Sequence, residues 1–217
     1  VNWGPCNMRP YPGAVRLWLW TAIAHGAELL DTYRYRQPLA GAEQYHDGIT
    51  DLGGVSLSTG GKEFVQTARE LEQFESLLES GTAPKTQGRV AMVLDWPSLT
   101  ALSIHPQSKK FDPMDCVTNF YRGLKRNGLQ VDLLRPDQSS AFTDYELVCV
   151  ALVDLADDSF VQSLENYVAA GGHLLLSPRN LTRLSNGHFP EEKYGYRFEK
   201  LTGARLHGYD VMPSDYS

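Results

Sequence analysis

What this 217-residue chain lacks narrows its class before any motif is read. Cysteines are few: Cys6, Cys116 and Cys149 are widely spaced and odd in number, so they form neither a C-x-x-C pair nor a disulfide framework. Cys149 lies within an apolar run and reads as a buried thiol, which points to a reducing, cytoplasmic setting. Long apolar runs are missing too. The longest mainly apolar stretch, Leu17 to Ala24, falls far short of the roughly 18 residues that span a bilayer. No basic amphipathic helix offers itself to an anionic membrane surface either. Positive charge is in deficit, with 20 Lys and Arg against 26 Asp and Glu and a net charge of −6, which argues against nucleic acid as a partner. No G-x-G-x-x-G follows Leu94 and no Walker A occurs, so the usual phosphate cradles are absent. His105, His173, His188 and His207 have no metal-ligand spacing, and no cofactor or metal is expected. The chain opens on Val1 without a charged leader, and the expectation is a fragment of something longer.

What remains is ordinary globular material, 42% apolar and 21% charged, long enough to bury a sizeable core. Val1 to Gly13 is rich in proline and glycine and reads as loop. Ala14 to His25 is predicted helical, apolar nearly all round and therefore buried or half-buried, with Gly26 as its stop and His25 as a cation at its C-terminal end. Ala27 to Tyr35 is predicted as a strand and Asp47 to Gly61 as loop. A second helix runs from near Lys62 to about Glu79, with an apolar stripe of Phe64, Ala68, Leu71, Phe74 and Leu78. Glu63, Glu70, Glu72 and Glu75 lie off that stripe and read as a solvated face.

Ser80 to Gly88 is small and polar, a linker in composition, and divides the chain into 1–80, a linker at 81–88, and 89–217. In the second part Arg89 to Leu94, Val131 to Leu134, Leu147 to Leu152 and His173 to Leu176 are short apolar strands of the buried parallel kind. Asp112 with Pro113 starts a helix that Gly128 stops, and Asp157 or Asp158 caps another that Gly171-Gly172 stops. The alternation is that of a doubly wound, flavodoxin-like α/β layer. An amidotransferase-like site would need a cysteine on a sharp strand-to-helix turn. The turn after His173 to Leu176 offers Ser177-Pro178-Arg179 instead, so this part reads as catalytically silent and suited to packing.

The stretch with most chemistry is Tyr33 to Gly48. It releases two arginines, several aromatics, an acid and a histidine just beyond the short apolar run Ala27 to Leu30, like the rim of a binding site. Glu43 and His46 are three apart, so one turn points both the same way. A carboxylate beside an imidazole suits vicinal hydroxyls, as on a sugar; a rim salt bridge with a solvated histidine fits the same residues. Trp3 is either a plug over the core or an aromatic platform for a ligand ring.

Taken together, Val1-Asn2-Trp3-Gly4-Pro5, Pro12-Gly13-Ala14-Val15-Arg16-Leu17-Trp18, Ala24-His25-Gly26-Ala27-Glu28, Arg34-Tyr35-Arg36-Gln37 and Glu43-Gln44-Tyr45-His46-Asp47-Gly48 resemble the β-galactosidases of glycoside hydrolase family forty-two. The resemblance implies a TIM barrel, an α/β domain through which three subunits associate, and a small C-terminal β domain. Residues 1–80 would then be the last βα units of the (β/α)8 barrel, with the rim on its C-terminal face. Residues 89–217 would be most of a flavodoxin-like trimerisation domain. The implied reaction is cleavage of terminal β-D-galactosyl groups with retention, by two glutamates about 5–5.5 Å apart. On this resemblance neither catalytic glutamate lies in the chain, both being expected upstream of Val1. Trp3, Glu43 and His46 match the galactose-binding shell, Arg34 and Arg36 act as charge partners of the rim, and the partners are a galactoside and two further copies of the chain. The competing expectation is a non-catalytic assembly module with no activity of its own.

Overall fold

The computed structural model of the chain describes residues 8–79, 88–108, 110–208 and 210. It divides into two compact units, Val1–Lys85 and Thr86–Ser217. Most of the expected linker, 80–87, lies outside the described residues.

In the first unit α1 spans Ala14–Ala24 and α2 spans Thr59–Glu79. Helix α1 ends where Gly26 takes a left-handed φ of 88° that a side chain would resist. The imidazole of His25 turns back to the Thr21 carbonyl at 2.7 Å. One expectation for these helices fails. The acids of α2 are not a merely solvated face: Glu63 accepts hydrogen bonds from the Gly13 and Arg16 amides at 2.7 and 3.0 Å, capping α1 from a neighbouring helix. Glu70 accepts from Arg16 Nε at 2.9 Å and from the Trp20 indole at 2.8 Å, beside an edge-on Trp20–Phe74 contact at 5.9 Å. The Gly13 and Arg16 amides hold the Glu63 carboxyl below its ordinary range, and Arg16 and Trp20 do the same for Glu70. Along α1 Leu19 is buried and Ala14, Val15, Trp20, Ala22 and Ile23 are half-buried, while Leu17 and Trp18 stay more than half exposed.

The predicted strand at Ala27 to Tyr35 does not form. Only the end of that stretch pairs: Ile49 N donates to Arg34 O at 2.8 Å, Thr50 N to Tyr35 O at 2.7 Å, and Arg36 bridges Thr50. A strand exists through a bonded neighbour, and among the described residues no backbone hydrogen bond reaches 28–33, while Ala27 N turns back to Ala22 O at 3.0 Å. Leu29 there is 85% exposed. The loop that follows is tightly made. Arg36 donates from Nε and Nη2 to Leu52 O at 2.9 and 2.6 Å, so it clasps a carbonyl rather than acting as a charge partner. Ser58 donates to Gly48 O at 2.6 Å and accepts from Gly61 N at 3.0 Å, capping α2 while tethering the loop. A Cβ at Gly48 would come within 2.7 Å of the Arg36 carbonyl carbon and the Gln37 nitrogen.

The second unit runs β1 Val90–Val93, α3 Trp96–Ile104, α4 Pro113–Arg126, β2 Val131–Leu134, a 3-10 segment Pro136–Asp144, β3 Leu147–Val150, β4 Leu155–Ala156, α5 Asp158–Ala169, β5 His173–Leu176, β6 Arg183–Leu184 and α6 Tyr196–Thr202. Four strands form one parallel sheet in the order β2-β1-β3-β5, and β4 pairs with β6. Successive side chains serve opposite faces. Ala91, Val93, Val148 and Val150 pack with Phe142, Phe160, Leu164 and Tyr167. Val90, Met92 and Cys149 pack with Leu99, Leu102, Val117 and Leu124. The central strands are buried as expected, but β2 and β5 are the sheet edges, and Leu133 on β2 is 56% exposed.

Caps follow the sequence. Asp112 accepts from Met114 N at 2.8 Å and Asp157 from Phe160 N at 2.8 Å. Helix α3, absent from the expectation, starts the same way, with Asp95 accepting from Ser98 N at 3.1 Å and Pro97 in its first turn.

At the C-terminal ends of β3 and β5 lies a buried polar network. Asn180 accepts from Val153 N at 2.7 Å and donates to the Val150 and Ser177 carbonyls, both at 2.8 Å. Ser177 Oγ accepts from Leu152 N at 3.1 Å. Asp154, also buried, pairs with Arg183 and Thr182. No helix of the described residues is long and apolar enough to cross a membrane.

Two outcomes follow from these contacts. Asn180→Ala strands the buried Val153 amide and removes one of two donors to Val150 O, and it lowers the chain's stability by about 2–3 kcal/mol, read as the shift of a urea denaturation midpoint. Gly48→Ala forces backbone against backbone and costs about 1–3 kcal/mol, read as a lowered melting temperature; an unchanged value would show that the loop does not rest on residues 36 and 37.

Candidate functional site

Pairing of residues 34–36 with 49–50 closes the chain between them into a loop, and a turn within it carries the predicted site residues. Gln44 N donates to Gly41 O at 3.2 Å, His46 N to Glu43 O at 2.9 Å, and the Gln37 amide to Gln44 O at 2.8 Å. Glu43 and His46 therefore sit on one turn, and both are half-buried. Trp3 lies outside the described residues.

The Glu43 carboxylate is held through a single oxygen. Tyr33 donates its hydroxyl to Oε2 at 3.0 Å. Arg34 Nη2 pairs with the same Oε2 and also bonds the Tyr33 hydroxyl. The guanidinium carbon of Arg34 lies 4.4 Å from the centroid of the Tyr33 ring, a cation held against an aromatic face. Arg34 Nε is buried with no acceptor among the described residues. The peptide bond between Tyr33 and Arg34 is cis. Arg34 thus has the charge-partner role expected of it. At the edge of the same loop, Arg9 and Asp47 approach to 3.5 Å with both side chains well exposed, a contact that contributes little.

Tyr33 is the residue that sequence reasoning passed over. Its neighbour Arg34 and the acid at 43 are visible in the sequence, yet nothing in spacing or periodicity brings a residue at 33 onto 43. Only the loop closure does so. A half-buried, ionised carboxylate with an anchored oxygen is a strong acceptor for hydroxyl donors, and an imidazole on the same turn supplies a second polar contact.

In the second unit the thiols are poor nucleophiles. Burial pushes the Cys149 thiol up to about 11 and raises Cys116 as well. Among the described residues no cluster of three or more His, Cys, Asp or Glu is arranged to hold a metal ion.

Comparison with known proteins covers both units. Residues 88–217 match the family model described as β-galactosidase trimerisation domain, and residues 1–74 match the one described as β-galactosidase. The β-galactosidase BgaH of Haloferax lucentense is 32% identical over 213 residues, 98% of this chain and 30% of that protein. A β-galactosidase of Thermus thermophilus is 32% identical over 192 residues, 88% of this chain and 28% of its own length. The crystal structure of β-galactosidase from the psychrophilic Marinomonas ef1 superposes with a TM-score of 0.84 at 26% identity, over 98% of this chain and 32% of that one. The chain thus spans about 30% of the length of the curated relatives it matches. With family models covering nearly all of both units, the chain belongs to the β-galactosidases of glycoside hydrolase family forty-two.

Proposed function

We propose that the chain is part of a retaining β-galactosidase that hydrolyses terminal non-reducing β-D-galactosyl residues, and that its first unit supplies part of the galactose-binding shell. The observation that carries this reading is the Glu43 carboxylate, half-buried and anchored by Tyr33 and Arg34, on the same turn as His46, in a segment that matches the β-galactosidase family model. Glu43 accepts hydrogen bonds from sugar hydroxyls, His46 adds a polar contact beside it, and Trp3 stacks on or walls the ring.

Retention proceeds through two carboxyl groups about 5–5.5 Å apart, one attacking the anomeric carbon while the other protonates the leaving oxygen; water then releases the sugar from the enzyme. On the family resemblance both glutamates are assigned to segments outside these 217 residues, and the acids of the first unit are not proposed in their place. Glu43 is tied to Arg34, and Glu63 and Glu70 hold α1. The chemistry calls for no cofactor and no metal. In the same reading residues 1–80 are the last βα units of a (β/α)8 barrel and 89–217 a flavodoxin-like trimerisation domain, joined at 81–88, and the protein works in the cytoplasm. The sheet order β2-β1-β3-β5, with packing on both faces, supports the flavodoxin-like description.

A second reading, a trimerisation module with no turnover of its own, draws on the match of residues 88–217 to the trimerisation model. For the isolated chain the two readings agree.

In the complete protein Glu43→Ala lowers kcat/KM for a chromogenic β-galactoside by about two decades or more, since sugar contacts tighten in the transition state; near-wild-type turnover would remove Glu43 from the site. The 217-residue chain alone turns over none of that substrate, and any activity there would overturn the assignment of the glutamates elsewhere. Light scattering on the complete protein gives the mass of three copies.

A further inference from the structure

Two donors reach Glu43, and both reach the same oxygen. The Tyr33 hydroxyl and Arg34 Nη2 converge on Oε2, and Nη2 also touches the hydroxyl. A guanidinium only donates. The hydroxyl oxygen therefore accepts from Arg34, and its own proton is directed at the carboxylate. The tyrosine ring in turn backs the guanidinium at 4.4 Å. Ring, guanidinium and hydroxyl form one clamp on one oxygen.

We propose that Tyr33 is a positioning residue which, with Arg34, pins Oε2 of Glu43 and so leaves Oε1 as the oxygen offered to the sugar. The proposal rests on the galactose-binding reading of Glu43. Oε1 has no protein partner among the described residues. A glutamate side chain held loosely loses about 1.5–2 kcal/mol of rotamer freedom when it must be ordered. Pinning one oxygen beforehand removes much of that cost from the binding step and fixes the direction of the other oxygen's lone pairs. Arg34 alone supplies the charge but swings on a long stem. Tyr33 contributes both the surface under the guanidinium and a second bond to the pinned oxygen, so the carboxylate cannot pivot about a single contact.

A double-mutant cycle in the complete enzyme separates this role from the alternatives. Kinetics with a chromogenic β-galactoside are measured for the wild type, Tyr33→Phe, Glu43→Ala and the double variant, with melting temperatures for each. Tyr33→Phe keeps the ring and removes the hydroxyl. It is expected to lower kcat/KM about tenfold, the worth of one hydrogen bond to a charged group, with the melting temperature held within about 2 °C. In the Glu43→Ala background the same substitution is expected to change kcat/KM by less than about twofold, because its effect passes through the carboxylate. Arg34→Lys, which keeps the charge and loses the planar fork, falls between wild type and Glu43→Ala. An equal loss from Tyr33→Phe in both backgrounds would show that Tyr33 acts on the sugar or the fold directly, and no loss in either would show that the hydroxyl is idle; both outcomes overturn the proposal. A strong loss at Glu43 with none at Tyr33 sinks this proposal and leaves the galactosidase reading intact. A wild-type enzyme with no galactoside turnover sinks both.

Discussion

Two backbone hydrogen bonds, Ile49 N to Arg34 O and Thr50 N to Tyr35 O, decide where the polar side chains of the first unit meet. They bring the two ends of the rim loop side by side, so that an acid at 43 returns to a guanidinium at 34. Around this closure the supports are mostly backbone acceptors. Arg36 clasps Leu52 O, Ser58 holds Gly48 O and caps α2, and Gly48 itself lies too close to residues 36 and 37 for any side chain. Two elements thus position the site, a pair of segments joined by a parallel bridge and a helix start. Backbone contacts thus fix the loop, and on it the Arg34–Glu43 ion pair fixes the carboxylate, an arrangement that suits the galactose-binding role proposed for this rim.

The second unit shows the opposite economy. In an open parallel sheet, ligands ordinarily enter the crevice beyond the carboxyl ends of the strands, where strand order reverses. Here that reversal falls between β1 and β3, and the polar atoms beyond the strands bond the protein's own backbone. Ser98 Oγ accepts from Leu155 N, Ser177 Oγ from Leu152 N, and Asn180 Oδ1 from Val153 N. Leu152 and Leu181 take left-handed φ values of 60° and 59°, conformations that cost a branched residue energy and persist where the surroundings fix them. Ser177 Oγ holds the Leu152 amide, and Val153 O holds the Leu181 amide at 2.8 Å. Polar groups engaged in internal bonding rigidify the domain, in keeping with the association role proposed for it.

Much of this was legible in the sequence, and what was not has identifiable causes. Val131 to Leu134 and His173 to Leu176 are strands over the residues expected, because short β-branched or leucine runs between turn signals have few other uses in a two-sided sheet. Asp112 and Asp157 cap as expected because capping is local chemistry. Helix α3 was missed although Asp95 and Pro97 announced it, since its apolar residues surround the axis and give no stripe. The strand at 27–35 was expected from local composition, yet a strand is a property of a pair. The acids at 63 and 70 looked solvated because periodicity describes one helix at a time, whereas capping of α1 by Glu63 is a relation between two. Tyr33 went unnoticed for the same reason.

That distinction between local and relational features also bears on the apolar surface of the first unit. Leu17, Trp18, Leu29, Tyr35, Leu39 and Val55 are all more than half exposed, while α1 is apolar on nearly every side and α2 covers one of them. Apolar surface left uncovered is costly in water, at roughly 25 cal/mol for each Å². In a (β/α)8 barrel each helix presses its inner face onto strands and its flanks onto two neighbouring helices, so a helix apolar all round is what such a position selects. The composition of α1 thus fits the barrel placement proposed for this unit, and it does so independently of the site residues, since none of those apolar side chains takes part in holding Glu43.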